Sequence, residues 1–449
     1  VAQYQPLAIV GVAPGDVRVR QQLENATKNI ADCVHATRTM GINSIQNGAA
    51  QWLAAAPVLP SIMWREDTHF LCSLPEFRRW AGSHKSLRME FFYRQMRQKY
   101  AVLMDGKEPA GGQWNFDADN RKSFGKKGPQ DLPQPPVFKP DQITQDVMAL
   151  VNQRFAEHPG HLDKFNWPTT RAEALHALDD FITHRLPSFG PHEDAMWTGL
   201  EFGWHSLLSS SLNLKLISPL EVVRAAEQAY RQKGLDLASV EGFIRQVLGW
   251  REFIRGMYFL DMPGLKTANH YGHTNALPAW YWTGNTRMNC MRQCITQTLD
   301  NGYSHHIQRL MVTGMFGLTA QIEPAQVCDW YLAVYVDAVE WVELPNVAGM
   351  ALFANGGRFT SKPYVASGAY VKRMSNYCTG CSYEPEARLG PKACPLTTLY
   401  WNFLDRHEAS FASNPRTALM VKNLQRMDES ERQALRLRAC EMLANLDAL

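Results

Sequence analysis

The chain has 449 residues, which suggests about three domains, or one large domain with a smaller partner. Hydrophobic residues make up 45% and charged residues 20%, the balance of a globular protein that buries a core. The net charge of +3 excludes a general attraction to nucleic acid, so such binding would need a local basic patch. No apolar run reaches the roughly 18 residues of a membrane span, and the start, VAQYQPLAIVG, lacks the features of a signal peptide.

The first part of the chain predicts a small α/β unit followed by a helix and a loop. Residues 1–75 mix short apolar runs with one helix-like stretch. Residues 76–141 begin with apolar and aromatic positions at helical spacing and continue into a polar connector rich in Gly and Pro, Asp105–Asp141. This composition predicts a long surface loop, and such loops often carry function.

Residues 142–449 predict an all-helical domain. Apolar residues recur at helical spacing in successive stretches from Ile143 onward. Ser218–Pro219 and Glu323–Pro324 place a capping residue and a proline where helices begin. We therefore predict an α+β protein whose large C-terminal part is helical.

Three cysteines near the C-terminus predict a metal site. Cys378, Cys381 and Cys394 follow the spacing C-x2-C-x12-C with a proline after the third, as is often seen at iron–sulfur ligands. The residues alone support zinc and iron–sulfur equally, and the alternative is a set of unrelated buried thiols. A fourth thiolate is expected, and local spacing does not choose among Cys290, Cys294, Cys328 and Cys440. The odd total of nine cysteines fits a reducing cytoplasm better than a disulfide framework.

Several helical stretches resemble one family in their order along the chain. EGFIRQVLGWREFIRGMY (Glu241–Tyr258) resembles the WREF-centred helix of photolyases and cryptochromes, and WHSLLSSSLNLKLISPLEVV (Trp204–Val223) resembles their flavin phosphate loop. YWTGNTRMNCM, NGYSHHIQRLMVTG and CDWYLAVYVDAVEWVELPNVAGM follow in family order. With its cysteine pattern, the sequence is similar to the iron–sulfur bacterial cryptochromes and photolyases, also called prokaryotic (6-4) photolyases. The resemblance extends from about Arg65 to the C-terminus.

The resemblance implies an N-terminal Rossmann-like antenna domain, an all-α FAD-binding domain and a C-terminal helical region with a [4Fe–4S] cluster. It assigns Cys290 as the fourth cluster ligand, beside Cys378, Cys381 and Cys394. The antenna domain of the family has about 130 residues, a domain-scale size, whereas only about 70 precede the SLPEF stretch here. We therefore expect a shortened antenna domain, which leaves the binding of its lumazine pigment doubtful.

The resemblance also implies a set of FAD contacts. Hydroxyl and backbone N–H groups of the serine-rich loop would bind the pyrophosphate, two arginines would pair with a phosphate or a carboxylate, and two acids would meet the flavin ring, one of them at N5. These residues are His205, Ser206, Leu208, Ser209, Arg251, Arg309, Asp337 and, at N5, Glu343. From the residues alone, the serine run is a helix start that caps itself, and the acids lie on a helix surface.

Two consecutive histidines, His305 and His306, are implied to act on the substrate. Neighbours on a helix point about 100° apart, so only one can face a given pocket squarely. The resemblance makes His306 the proton donor or lesion contact, with His305 as support, and places Tyr364 in the lesion pocket. The imidazole pKa suits proton donation. The alternative is that both histidines are structural.

Three aromatic residues, Trp330, Trp282 and Tyr331, match the electron relay of the family. Without the resemblance each would be interpreted as core packing.

Charged residues in the connector and beyond it suggest contacts with DNA. Asp119 and Asp194 are candidate ligands of a Mg²⁺ ion that bridges to DNA. Candidate phosphate contacts are Arg121, Lys122, Lys126 and Lys127. A solvated charged loop explains the same residues equally well.

These observations predict a bacterial, cytoplasmic and monomeric enzyme that binds UV-damaged DNA and repairs (6-4) photoproducts in light. The alternative is a cryptochrome-like blue-light receptor without repair activity. A nucleic-acid-binding protein with a structural metal domain is a second alternative. A nicotinamide oxidoreductase ranks below both, because no G-x-G-x-x-G follows a predicted strand.

Overall fold

The structure is a computed structural model that describes residues 67–449. Nearly all of the predicted α/β unit, residues 1–75, therefore lies outside the described residues. The described part is helical with one small hairpin, as predicted for residues 142–449. Strands β1 (Met104–Asp105) and β2 (Glu108–Pro109) pair antiparallel, with Met104 opposite Pro109.

The helices are short and follow one another closely. In chain order they are α1 (Leu74–Gly82), α2 (Met89–Tyr100), α3 (Gln142–Arg154), α4 (Arg171–Asp180), α5 (Leu186–His192), α6 (Ser209–Asn213), α7 (Pro219–Lys233), α8 (Leu237–Ile244), α9 (Glu252–Asp261), α10 (Asn289–Asn301), α11 (His306–Gln308), α12 (Met315–Thr319), α13 (Pro324–Val334), α14 (Glu340–Leu344), α15 (Gly368–Met374), α16 (Pro395–Arg406), α17 (Glu408–Ala412), α18 (Ala418–Leu424) and α19 (Glu429–Ala444). Short 3₁₀ turns cover Ala110–Gly112, Gly264–Thr267, Ala279–Trp282 and Leu446–Ala448.

Helix α7 begins where the sequence predicts. The Ser218 hydroxyl accepts the Glu221 N–H, and the Glu221 carboxylate accepts the Ser218 N–H, which is a complete capping box with Pro219 at the first helical position. The helix ends at Gly234, whose φ of 67° is the left-handed conformation that favours glycine. At the other predicted start, Pro324 opens α13, but the Glu323 side chain makes no capping bond.

Aromatic residues from three helices hold the first part of the described chain against the helical body. Phe77 of α1 lies with its ring centroid 5.3 Å from that of Phe92 in α2 and 5.8 Å from that of Phe253 in α9. A Cβ at Gly256 would lie 2.3 Å from the Phe77 ring, so only glycine permits this approach. Buried aromatic rings of this kind contribute large apolar areas to a core.

Four π-helical segments interrupt the helices of the described chain: Phe181–Arg185, Arg245–Arg251, Arg309–Gly314 and Pro345–Ala351. Each widens one turn and reorients the side chains that follow, and such turns are frequent at functional sites. Arg251 and Arg309, both candidate site residues, lie on two of them.

The predicted connector has no helix or strand from Gln113 to Asp141, but it is held firmly against the helices. The Asn120 side chain donates to the Ala238 carbonyl at 2.9 Å. The backbone N–H groups of Arg121 and Lys122 donate to the carbonyls of Gly190 (3.1 Å) and Pro191 (2.7 Å). The connector is thus a surface loop whose first part is fixed to α5 and α8.

Gly190→Ala tests this attachment. A Cβ at Gly190 would lie 2.3 Å from Asn120 Oδ1 and 2.8 Å from the backbone Cα of Ser239, so the backbone itself must shift. We expect the free energy of unfolding in urea to fall by about 1–3 kcal/mol, the usual cost of overpacking, with faster proteolysis of the connector. Gly82→Ala is the control, since nothing lies within 4 Å of its Cβ position. Equal stability of the two variants would contradict this packing.

Candidate functional site

A buried ion pair joins three separate elements. Arg309, at the start of its π-helical segment, donates to both carboxylate oxygens of Asp337, at 3.0 and 3.3 Å. The Ser209 hydroxyl of α6 donates to the same carboxylate at 2.7 Å, and the Asn213 side chain donates to the Asp337 carbonyl at 2.8 Å. The guanidinium also lies 3.7 Å from the centroid of the Tyr335 ring. Of the predicted flavin contacts, the structure therefore brings Ser209, Arg309 and Asp337 together.

Glu343 adds a second carboxyl group to this cluster. It is 3% exposed, and its Oε1 lies 3.6 Å from an Arg309 nitrogen without a hydrogen bond. Burial raises the pKa of Glu343 to about 8, against the lowering effect of Arg309. Burial lowers the pKa of Arg309, but Asp337 and Glu343 more than reverse this, so the net pKa is raised. At neutral pH the site therefore holds a cation, a carboxylate and a carboxylic acid that can donate a hydrogen bond.

The two consecutive histidines face different surroundings, but they are not neighbours on one helix, because His305 is the N-cap residue in extended conformation and His306 opens α11. The His305 ring is buried and stacked on the His205 ring, with centroids 4.5 Å apart and planes at 16°. His306 is exposed, yet the surrounding protein, then Arg309 and Arg121, lowers its pKa to about 4. Both rings are neutral at pH 7, since burial also lowers the pKa of His305 well below its ordinary value.

Several buried polar atoms without a hydrogen-bond partner belong to residues of this region or to their neighbours in the chain. They include both ring nitrogens of His305, Glu343 Oε1 and the hydroxyls of Ser210 and Ser211. Leaving such a group unpaired costs about 1–3 kcal/mol, so this donor and acceptor set fits a polar ligand. Phosphate oxygens suit the hydroxyls, and a heterocycle suits the imidazole and carboxyl groups, so the residues present fit FAD.

Sequence reasoning did not single out Ser210, Ser211 or Asn213. The signal was the run SSSLN itself, in which Ser209 and Asn213 contact Asp337 and the hydroxyls of Ser210 and Ser211 are buried without a partner.

Other predicted flavin contacts have different partners. His205 has its two ring nitrogens 3.1 Å from the carbonyls of Phe202 and Glu193. The Ser206 hydroxyl accepts the Leu208 N–H at 3.4 Å, and Leu208 is a buried core residue. Arg251 donates to the His69 carbonyl at 2.9 Å and lies 4.1 Å from the centroid of the Phe70 ring. It also lies 3.2 Å from Glu252 and 5.4 Å from the centroid of the Trp341 ring, so its partners differ from those of Arg309.

Two predicted relay residues, Trp330 and Tyr331, are in ring contact. Trp330 is fully buried, 5.1 Å from Tyr331 and 5.1 Å from Tyr281 between ring centroids. It also lies 5.9 Å from Tyr335, the ring beneath Arg309. Trp282 is 38% exposed, and within residues 67–449 it makes none of these ring contacts. The packed aromatic series thus runs from Tyr335 through Trp330 to Tyr281, which follows from packing that a sequence does not reveal.

The four predicted cluster cysteines line one cavity. Cys290 of α10 meets Cys378, Cys381 and Cys394 there, and Tyr377 and Tyr383 complete part of the wall. Burial raises the pKa of Cys378 to about 12, and a bound cation would reverse this shift. Across residues 67–449 no three His, Cys, Asp or Glu side chains are close enough to hold a single metal ion.

The acidic residues near the connector are paired with arginine. Arg121 lies 3.2 Å from carboxylate oxygens of both Asp117 and Glu193, and 3.9 Å from Asp194. Asp119 is exposed, and in the described chain it does not form a three-ligand metal group with Asp194. Tyr364 is half-buried, and its raised pKa reflects burial, opposed by Arg121.

Comparison with known proteins gives the family. Residues 43–167 match a family described as deoxyribodipyrimidine photo-lyase-related protein. Over 385 residues the chain is 49% identical to the (6-4) photolyase of Agrobacterium fabrum, covering 85% of this chain and 75% of that protein. This chain belongs to the (6-4) photolyase group of the cryptochrome/photolyase family. The resemblance inferred from the sequence motifs is thereby confirmed.

Further similarities are partial. An uncharacterised protein of Acanthamoeba polyphaga mimivirus is 32% identical over 116 residues, which is 26% of this photolyase-family chain and 87% of the viral protein. A bacterial class III photolyase from Agrobacterium tumefaciens is 22% identical, with a TM-score of 0.39 over 46% of this chain and 45% of that one. Of the helices in residues 67–449, none has the length and apolar character needed to cross a membrane.

Glu343→Gln tests the electrostatics of the cluster. A carboxyl group whose pKa is raised from about 4.5 to about 8 keeps its proton in the folded state and loses it in the unfolded state across that range. Its contribution to stability therefore falls as pH rises, and the variant lacks this fall. We therefore expect the free energy of unfolding of Glu343→Gln, relative to that of wild type, to rise by about 1–3 kcal/mol as the pH increases from about 5 to about 8. The measurement is urea unfolding of the ligand-free protein.

Glu340→Gln, on the same helix, is the control for the change in net charge. A stability difference between wild type and Glu343→Gln that stays constant with pH would contradict a protonated Glu343.

Proposed function

We propose that this protein repairs (6-4) photoproducts in UV-damaged DNA in a light-dependent reaction. The observation that carries the proposal is the 49% identity to a (6-4) photolyase over 85% of the chain. The site that supports it contains His306, the Arg309–Asp337 pair and unpartnered polar groups of neighbouring residues. No observation favours the photoreceptor alternative.

FAD is the cofactor that fits the side chains around the Arg309–Asp337 pair. When bound, reduced FAD excited by blue light supplies the electron that starts repair. Ser209, Ser210 and Ser211 would hold the phosphates through their hydroxyls. Glu343, protonated at neutral pH, would donate a hydrogen bond to the flavin ring, and the Arg309–Asp337 pair would fix its position.

His306 would supply the proton that the lesion needs, and His305 would support it from the stack with His205. With a pKa of about 4, His306 is neutral in the free protein. Negative charge brought into the pocket favours the imidazolium form, so the phosphates of an extruded lesion would raise this pKa toward the working range. The substrate itself would therefore prepare its proton donor, with Tyr364 lining the lesion side.

The connector would supply part of the DNA-binding surface. Arg121 is fixed beside the pocket by its acidic partners, while Lys122, Lys126 and Lys127 are exposed. Lysines without fixed geometry suit sequence-independent phosphate contacts. A bound duplex would extrude the damaged bases into the pocket, a step that costs less at a lesion than at paired bases.

The cysteine cavity would hold a [4Fe–4S] cluster. Its support is the convergence of Cys290 with Cys378, Cys381 and Cys394, which lie about ninety or more residues apart in the chain but on one cavity wall. The cluster would fasten the segment before α16 to α10. Trp330, Tyr331 and the exposed Trp282 would carry electrons toward the flavin, with Tyr281 and Tyr335 as packed neighbours.

The first experiment is repair of an oligonucleotide with a single (6-4) lesion. The purified protein is reduced, illuminated with blue light and followed by chromatography, with a cyclobutane dimer and dark samples in parallel. We expect light-dependent restoration of the (6-4) lesion, and a loss of about 10²–10⁴-fold in His306→Ala, the usual contribution of a general acid. His158→Ala, an exposed position outside the pocket, should repair at the wild-type rate.

Absence of repair by a wild-type protein that contains flavin would overturn the proposed enzyme and favour the photoreceptor. Wild-type rates in His306→Ala would instead remove His306 from its proposed role.

Substitutions of two cysteines on one helix test the proposed [4Fe–4S] cluster. Cys290 lines the cavity, and Cys294 lies one turn farther along α10, buried but outside the lining. Cys290→Ala removes one of four ligands, so we expect loss of iron and acid-labile sulfide, measured chemically and by absorption. Cys294→Ala should retain both. Equal iron content in the two variants would exclude Cys290 as a ligand.

A further inference from the structure

One buried side chain lies between the cysteine cavity and the histidine pair. Gln308, the last residue of α11, is 1% exposed. Its amide oxygen accepts the backbone N–H of His305 at 3.0 Å, which satisfies a free donor at the start of α11. Its amide nitrogen donates to the Tyr377 hydroxyl at 3.0 Å.

A second glutamine fills the remaining hydrogen-bonding capacity of this amide. Gln308 Nε2 donates to Gln297 Oε1 at 2.9 Å, and Gln297 Nε2 donates to Gln308 Oε1 at 3.2 Å. Gln297 belongs to α10, the helix that carries Cys290. The Gln308 amide thus has two accepted and two donated hydrogen bonds, its full complement, and only one orientation of the amide satisfies all four.

Tyr377 ties this amide to the cysteines. It is 1% exposed, lines the cavity and directly precedes Cys378. Its carbonyl accepts the Asn289 side chain at 2.7 Å, and Asn289 directly precedes Cys290. Cys378 is therefore bonded to Tyr377 itself, and Cys290 adjoins the residue that binds the Tyr377 carbonyl, so Tyr377 is attached to the cavity wall at two points.

We propose that Gln308 is a positioning residue that couples the wall of the cysteine cavity to the orientation of His305 and His306. The coupling runs from Tyr377 through the Gln308 amide to the first turn of α11. A cluster in the cavity then fixes the Tyr377 hydroxyl, and through it the ring that donates the proton. The inference deepens the proposed repair function and depends on it for one readout, the rate of repair.

Tyr377→Phe removes only the hydroxyl. Tyr383→Phe is the matched control, because it removes a buried hydroxyl without a partner from the same cavity wall. In protein labelled selectively at histidine, we expect the ring signals of His305 and His306 to shift in Tyr377→Phe and to stay in place in Tyr383→Phe. The rate of (6-4) repair should fall by about two- to tenfold relative to the control, the range of one net hydrogen bond, at equal flavin content.

Gln308→Leu approaches the same link from the histidine side. We expect iron release to a chelator to accelerate by about two- to tenfold, again the range of one net hydrogen bond, although Gln308 lines no part of the cavity. If Gln308 acted only on the histidines, its substitution would leave the rate of iron release unchanged.

The outcomes separate this inference from the proposed function. Identical histidine signals in Tyr377→Phe and Tyr383→Phe, or wild-type iron release in Gln308→Leu, would overturn the coupling. If Tyr377→Phe does not fold, the rate of iron release from Gln308→Leu alone decides whether the coupling exists. A wild-type protein that repairs no lesion would fail the proposed function, while the histidine signals still test the coupling.

Discussion

Arg309 brings a positive charge to a place where almost no water remains, and the geometry of the site depends on how that charge is neutralised. The guanidinium is 14% exposed and its partner Asp337 is 11% exposed. The attraction within a nearly buried ion pair offsets the cost of desolvating its charges only when the geometry is good and additional hydrogen bonds are present. Ser209 supplies such a bond to the carboxylate, and the Tyr335 ring lies against the guanidinium. Three segments that are distant in the chain are therefore held together by one charge.

Burial sets the protonation of the groups around this charge. It raises the pKa of Glu343 to about 8 against the lowering effect of Arg309, so this second acid keeps its proton at neutral pH. Burial is also the main reason why the pKa values of His305 and His306 are lowered, and Arg309 adds to that lowering. The site is thus almost uncharged overall and contains unpaired polar atoms. Such a site is poised for an anionic ligand, because added negative charge restores protons to the histidines and partners to the hydroxyls.

The sequence predicted those parts of the site that depend on local pattern. Local pattern indicated the helical body, the start of α7 at Ser218 and the group Cys378, Cys381 and Cys394. Cys290, which lines the same cavity, came only from the family resemblance. Arg251 contacts His69 and Phe70, more than 180 residues earlier in the chain, as well as Glu252 and Trp341. Its expected contact with the flavin stays a prediction. Asn213, Tyr281 and Gln308 act through partners that only the packed helices bring near, and no periodicity marks them. Patterns with a fixed spacing can be recognised in a sequence, whereas contacts between distant segments cannot.

The two histidines show how the start of a helix takes its position from distant contacts. His305 is the N-cap residue in extended conformation and His306 is the first helical residue. The His305 ring is buried, and the His306 ring is accessible. From His306 the helix continues without a break through the π-helical segment Arg309–Gly314 to Thr319. Its start is held by the Gln308 amide, and that amide is held by Tyr377 and Gln297. The histidine pair is therefore tied to α10 and to the segment that carries Cys378, two parts of the fold that local pattern does not connect with it.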